Sequence, residues 1–159
     1  MDWNNLFYSC SRCNGIKRNG HLNLLDCTDP NLNVSREIRL KIYPTPDSDV
    51  FVEAASSQPR QETINTVELL KLCYNETNTA LREVSREALM EQIFEYMCCF
   101  INARRDLKNP SAGRTVKQNA LETIEVMLNS RHPFSAFWRW QYLDDSFLTT
   151  NYPELGALF

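Results

Sequence analysis

Cysteine, asparagine and lysine stand near the start of this 159-residue chain in a spacing that chemistry can use: Trp3-Asn4-Asn5-Leu6-Phe7-Tyr8-Ser9-Cys10-Ser11-Arg12-Cys13-Asn14-Gly15-Ile16-Lys17-Arg18. Cys10 and Cys13 form a C-x-x-C pair, a spacing from which two thiolates reach one tetrahedral zinc ion. Such a site needs further ligands. His21 and Cys27 would extend it to C-x2-C-x7-H-x5-C, a spacing unlike known zinc modules. The plainer reading is two small buried thiols packing the start of a helix. Arg12, Lys17 and Arg18 face only Asp2 within the first 21 residues. That local positive excess suits contact with phosphates, or it is simply a solvated face.

Seven of these residues, Trp3, Asn5, Leu6, Cys10, Cys13, Asn14 and Lys17, fall on one pattern: W-x-N-L, three residues, then C-x-x-C-[HN]-x-x-K. The pattern resembles the second half of the motif of HNH nucleases. The resemblance implies a small ββα finger built around one divalent metal ion. It implies that Asn5 orients a histidine general base, and that Asn14, on the helix that follows, binds the metal. A neutral amide oxygen suits Mg²⁺ or Mn²⁺ better than Zn²⁺. The metal would stabilise charge on the scissile phosphate and the leaving oxygen, while Arg12, Lys17 and Arg18 would meet DNA phosphates. In many HNH proteins two C-x-x-C knuckles also clamp a structural Zn²⁺, and here Cys10 and Cys13 supply one knuckle.

The general-base histidine of that family comes before Trp3, where this sequence has none. The two histidines, His21 and His132, are not placed to replace it by motif spacing. Three explanations are open: Met1 is an internal methionine of a longer reading frame, the chain is a fragment, or the protein is an inactive relative. The well-kept remainder of the motif favours the first two over the third.

The composition is that of an ordinary globular protein of one domain, or one domain with a small appended module. Its net charge of -3 exerts no global attraction for DNA, so nucleic-acid binding must come from a local patch. No apolar run is long enough to span a membrane. Met1 leads straight into Trp3 and polar residues, unlike a signal peptide. The six cysteines, with Cys98 and Cys99 adjacent in a helical run, read as reduced thiols of a cytoplasmic protein.

The elements that must position the motif follow from periodicity. A helix is expected from about Ser11 to Gly20, and the partial finger ends at residue 30 in an Asp29-Pro30 turn. Residues 31–59 read as a β-hairpin connector. Ile38-Arg39-Leu40-Lys41-Ile42 alternates with period two, Val50-Phe51-Val52 is β-branched and aromatic, and Pro44 to Asp49 is rich in turn residues. Residues 60–148 read as a helical domain. Its first helix begins near Thr63, with Ile64, Val67, Leu70 and Leu72 near one face, and breaks around Asn75 to Asn78. A long helix carries Leu81, Val84, Leu89, Ile93, Met97, Phe100 and Ile101 and ends near Leu107, before Asn109-Pro110. A third spans Thr115 to Asn129, and a short aromatic helix follows Pro133-Phe134. The tail 149–159 shows no clear periodicity. The fold class expected is therefore α+β, mostly α: a truncated ββα-metal finger and a β-hairpin followed by a helical domain.

That layout is itself similar to the HNH component of Septu- and retron-type phage-defence systems. The likeness implies a metal-dependent DNA endonuclease acting in phage defence with an ATPase partner, incomplete here for want of the general-base histidine. The alternative is a non-catalytic partner- or nucleic-acid-binding module derived from an HNH protein. In the helical half, Arg82, Arg86, Arg104, Arg105, Lys108 and Arg114 would form a DNA-facing strip, but Glu83, Glu87, Glu91 and Glu95 share the long helix. Mixed signs at that spacing favour a solvated, ion-paired face. Phe134, Phe137, Trp138, Trp140 and Tyr142 would stack bases or dock a partner if exposed. Packing of the last helix against the long one is the commoner outcome.

Overall fold

In the computed structural model, residues 11–17, 20–27, 29, 31–45, 48–77 and 85–159 are described. The elements run α1 (Ser11–Lys17), α2 (Val34–Glu37), β1 (Ile38–Lys41), β2 (Phe51–Ala54), α3 (Gln61–Asn75), α4 (Arg86–Lys108), α5 (Arg114–Leu128), α6 (Ser135–Leu143) and α7 (Ser146–Asn151), closed by a 3-10 helix, Pro153–Leu158. The protein is thus mostly helical, with one two-stranded antiparallel sheet, as expected. No helix among the described residues is long and apolar enough to cross a membrane.

The long helix α4 organises the core. Leu89, Met90, Ile93, Met97, Phe100, Ala103 and Leu107 recur at three- and four-residue spacing and are all buried. Ser85 caps its start by accepting from the Ala88 N–H at 3.1 Å. Asn109 and Pro110 end it, since proline cannot continue the ladder. Helix α5 returns along α4 and buries Ala120, Ile124, Met127 and Leu128. The short helix α6 then lays Phe137 and Trp138 into the core, where Trp138 stacks on Phe100 at 6.2 Å and 23°. The residue before α6, Phe134, adopts a left-handed conformation (φ 58°) that a bulky side chain rarely takes. Its ring lies 6.1 Å from Tyr96 and 6.4 Å from Phe137.

The hairpin expected as a connector lies within this same core. Ile38, Leu40, Ile42, Val50 and Val52 belong to the same buried cluster as the α4–α6 side chains, with β1 packed on α6 and β2 on α3. The register pairs Leu40 with Val52 and Arg39 with Glu53, so one face is apolar and the other charged. Trp140 fastens the sheet to α6 by donating its Nε1–H to the Ile38 carbonyl at 2.6 Å. No break in the core marks the boundary expected near residue 60.

Three departures from the sequence pattern have physical causes. On α3, Ile64 and Leu72 face out, and the buried residues are Thr63, Val67, Leu69 and Cys73. Thr63 turns inward because its hydroxyl donates to Glu37 Oε2 at 3.0 Å, which rotates the buried stripe by one residue. Ile101 on α4 is likewise exposed, about 100° around the helix from buried Phe100. The tail is ordered by the carboxylate of Asp145, which accepts from the N–H groups of Phe147 and Leu148 and starts α7. Leu148 and Leu155 are then almost fully buried, so the boundary expected at residue 149 falls inside a helix. Leu81 and Val84, expected on the long helix, lie outside the described residues.

Candidate functional site

Helix α1 carries the described part of the motif. The described residues Ser11–Lys17 are helical, inside the helix expected from about Ser11 to Gly20. Asn14 is exposed, while Cys13, Gly15, Ile16 and Lys17 are half-buried. One face of the helix thus rests on the protein and the opposite face offers Asn14 to solvent. The Arg12 side chain, together with Trp3, Asn5, Leu6, Cys10 and Arg18, lies outside the described residues.

Helix α3 supports this segment from below, and α1 packs directly against it. The chain leaving α1 is then clasped by two α3 side chains. Asn65 Nδ2 donates to the carbonyls of Leu22 and Asn23, at 3.3 and 3.1 Å. Thr66 Oγ1 accepts from the Leu25 N–H at 2.9 Å and donates to the Glu62 carbonyl at 2.7 Å. Asn23, at φ 57°, makes the turn in the left-handed region that asparagine tolerates. The sequence reading missed this clasp. The polar Asn65-Thr66 pair between Ile64 and Val67 was its only signal.

The same residues bear on a metal. Cys13 is half-buried and Cys27 is exposed. Among the described residues no three His, Cys, Asp or Glu side chains gather as a metal-holding group, so Cys13, His21 and Cys27 are not a preformed zinc set. Asn14 offers a single amide oxygen for Mg²⁺ or Mn²⁺. One exposed donor does not fit a divalent ion by itself, because such ions take six or more oxygens, several of them from protein or substrate.

The second histidine, His132, belongs to the turn between α5 and α6. Its Nδ1 lies 2.7 Å from the Pro133 carbonyl, and its ring meets the edge of Tyr96 at 4.9 Å. Those contacts occupy it in the aromatic cluster.

The expected cationic strip on the helical half does not run as one surface. Arg86 turns back to the Ser48 carbonyl and Asp49 Oδ1, at 3.2 and 3.0 Å. Arg104 forks onto both oxygens of Asp145. Burial pushes the Asp145 carboxyl upward, but Arg104 and the two α7 N–H groups outweigh it and hold the carboxyl below its ordinary value. Arg104 is raised above its own ordinary value by the same hydrogen bond. Arg105 sits 3.7 Å from Asp106, Arg114 is exposed, and Arg82 and Glu83 lie outside the described residues. Glu91 and Glu95 are exposed. The aromatic group is mostly interior: Phe137, Trp138, Trp140 and Tyr142 are buried and Phe134 is half-buried. It builds the core and offers no stacking surface.

A second charged cluster escaped the sequence reading. Asp144 receives Arg39 at 3.2 Å and Lys41 at 2.6 Å, while Arg39 also pairs with Glu53 at 3.2 Å. The polar face of the hairpin is thereby tied to the end of α6. Its two basic residues alternate along β1, but nothing in the sequence names a partner 103 to 105 positions away.

No family model, no curated protein and no solved structure matches this chain.

Proposed function

We propose that this protein is an HNH-type nuclease component that acts on DNA, with α1 as the metal- and phosphate-facing helix of its finger. The observation that carries this reading is the match between motif and helix. The resemblance puts Asn14 on a helix as a metal ligand, and α1 is a helix on which Asn14 is exposed while Cys13 is half-buried. In this reading Asn14 is one metal ligand, Asn5 aims the general base, and Arg12, Lys17 and Arg18 hold phosphates. The ion would be Mg²⁺ or Mn²⁺, and Cys10 with Cys13 would serve a structural Zn²⁺ if one is bound. The described residues supply one such ligand, so no hydrolytic step is derived from them. An ATPase partner and a role in phage defence belong to the same proposal and rest on the order of elements alone.

The test uses purified protein, supercoiled plasmid and Mg²⁺ or Mn²⁺. The sequence as it stands should nick at a rate about 10²–10⁴ below a complete enzyme, because the general base is missing. Adding in-frame upstream residues that carry a histidine should raise nicking, and Asn14→Ala should abolish the gain. Robust nicking by the unextended chain that is insensitive to Asn14→Ala would overturn the assignment.

One observation favours a second reading, a non-catalytic binding module. Arg86 and Arg104 of the long helix are held in ion pairs with Asp49 and Asp145, and α1 offers a single hard donor. Under this reading the extended protein binds DNA or a protein partner without cleaving DNA at any metal concentration.

A further inference from the structure

Four arginines among the described residues are half-buried: Arg39, Arg86, Arg104 and Arg139. Three of them meet a carboxylate. Arg39 pairs with Glu53 and Asp144, Arg86 with Asp49, and Arg104 with Asp145. Arg139 pairs with none among the described residues. Its Nε donates to the Leu128 carbonyl at 2.8 Å and its Nη1 to Ser35 Oγ at 3.3 Å. Its guanidinium carbon lies over the Phe159 ring, 5.0 Å from the centre. Burial pushes the group below its ordinary value, and no carboxylate offsets that. A cation drawn partly out of water without an anion is the exception in folded proteins.

The contacts of Arg139 fix the guanidinium but leave donors unused. Leu128 and Ser35 each take one N–H, and Nη2 makes no hydrogen bond among the described residues. Nη2 is nonetheless open to solvent, because the buried unpaired side-chain nitrogens there are Nε of Arg39 and Nε of Arg86. Ser35, only 7 % exposed, accepts from Arg139 and donates its hydroxyl to Asn33 Oδ1 at 2.5 Å. Asn33 is exposed, and its Nδ2 has no partner among the described residues. Arg36 follows Ser35 in the chain, and Arg131 lies in the turn just after Leu128. Both are exposed, and neither joins an ion pair among the described residues. Of the nearby acids, Glu37 is engaged by Arg60 and Thr63. Glu125, one turn before Leu128, and Glu154, in the last 3-10 helix, pair with none of the three arginines.

We infer that Arg139, Asn33, Arg36 and Arg131 form a phosphate-binding site where α2, α5 and α6 meet. The open Nη1–Nη2 edge of Arg139 offers two parallel donors, the geometry that grips two oxygens of one phosphate. Asn33 adds a neutral donor beside it, and Arg36 and Arg131 add the charge that a multiply charged anion needs. The phosphate is a free one or one of a nucleic-acid backbone, which share this chemistry. The site is built on α2, α5 and α6, whereas α1 packs on α3, so the inference stands without the nuclease reading.

The test is thermal unfolding of the full chain in sodium phosphate against sodium chloride of equal ionic strength, joined to a phosphorus NMR titration with inorganic phosphate. Phosphate should raise the melting temperature progressively with its concentration, as a ligand of the folded state does, and chloride should not. Asn33→Asp changes an exposed residue and keeps the oxygen that Ser35 needs. Its new carboxylate should neutralise Arg139 and weaken phosphate binding at least about tenfold, with the melting temperature in chloride unchanged or higher. Arg139→Lys keeps a charge without the fork and should also weaken phosphate about tenfold. If that variant fails to fold, Asn33→Asp carries the test. A short DNA duplex separates the two sources. Displacement of inorganic phosphate by the duplex, lost in Asn33→Asp, identifies a backbone phosphate, and no displacement identifies a free one. Stabilisation by phosphate no greater than by chloride, or equal stabilisation of wild type and Asn33→Asp, would overturn the inference.

Discussion

Helix α1 and the α4–α6 pair hold the residues singled out by their sequence patterns in opposite ways. In α1 the diagnostic residue, Asn14, faces solvent, and the segment after it is held by two polar α3 side chains. In α4–α6 the diagnostic residues face one another, with Phe100, Phe137 and Trp138 at most 2 % exposed and the polar groups turned outward or paired. The difference separates two kinds of sequence signal. A motif residue free of packing duties is available for chemistry, whereas an aromatic group that looks like a binding surface is consumed by the core.

The most direct way to break this comparison is Trp138→Ala. Trp138 stacks on Phe100 and leans on Tyr96 and Phe137, and its indole N–H donates to the Pro133 carbonyl at 3.2 Å. Removing so large a buried ring should cost about 3–5 kcal/mol in urea unfolding. A loss under 1 kcal/mol would mean that the aromatic group is not the core of the helical half.

Asp145→Ala should have the next largest effect. The side chain starts α7 through two backbone N–H groups and pairs with Arg104, which is half exposed to screening solvent. The expected loss is about 2 kcal/mol, mostly from the cap. The pH dependence has a definite sign. A carboxyl held below its ordinary value stabilises the fold fully above the ordinary aspartate range, and this is lost as pH falls through the lower folded value. Asp145→Asn keeps a capping oxygen but no charge, so its melting temperature should fall less than wild type's between pH 7 and pH 3. Identical acid profiles would remove Asp145 from the account.

A smaller effect, about 1–2 kcal/mol, is expected for Asn75→Ala, which strips both partners from the backbone of Val50, a residue only 3 % exposed. Amide exchange at Val50 should accelerate while exchange in α4 is unchanged. Acceleration across the whole protein would show that the sheet edge and the helical core unfold as one unit.

Periodicity made the hairpin, α4, α5 and α6 legible because their apolar residues recur at the spacing of the surface they bury. It failed where a polar contact outweighed the pattern. Glu37 turned Thr63 inward and displaced Ile64, and Asp145 nucleated α7 in a tail with no apolar rhythm. An aspartate just before Ser146-Phe147-Leu148 is a start signal that side-chain type alone reveals. The Asp144 cluster and the Asn75 edge cap had no such signal, since both join residues far apart in the chain. At the candidate site, the position of α1 was legible from its motif, whereas the α3 clasp beneath it required the fold.

The smallest expected change in stability is the sharpest test of the comparison. Asn14 is exposed on a seven-residue helix, and no hydrogen bond or ion pair anchors its side chain among the described residues. Asn14→Ala therefore removes no packing, and alanine is the better helix former, so the unfolding free energy should change by less than about 0.5 kcal/mol. If Asn14 serves a metal at the DNA backbone, the same substitution should erase Mn²⁺-dependent nicking by the extended protein while the urea midpoint stays fixed. Excess Mn²⁺ should restore part of that rate, because a lost ligand weakens metal affinity without altering the base. Asn5→Ala should resist such rescue, since its expected role is to aim the histidine. Equal metal dependence of the two variants would dismiss the roles assigned to both asparagines. A large stability loss in Asn14→Ala would instead make it a structural residue and leave α1 without its chemistry.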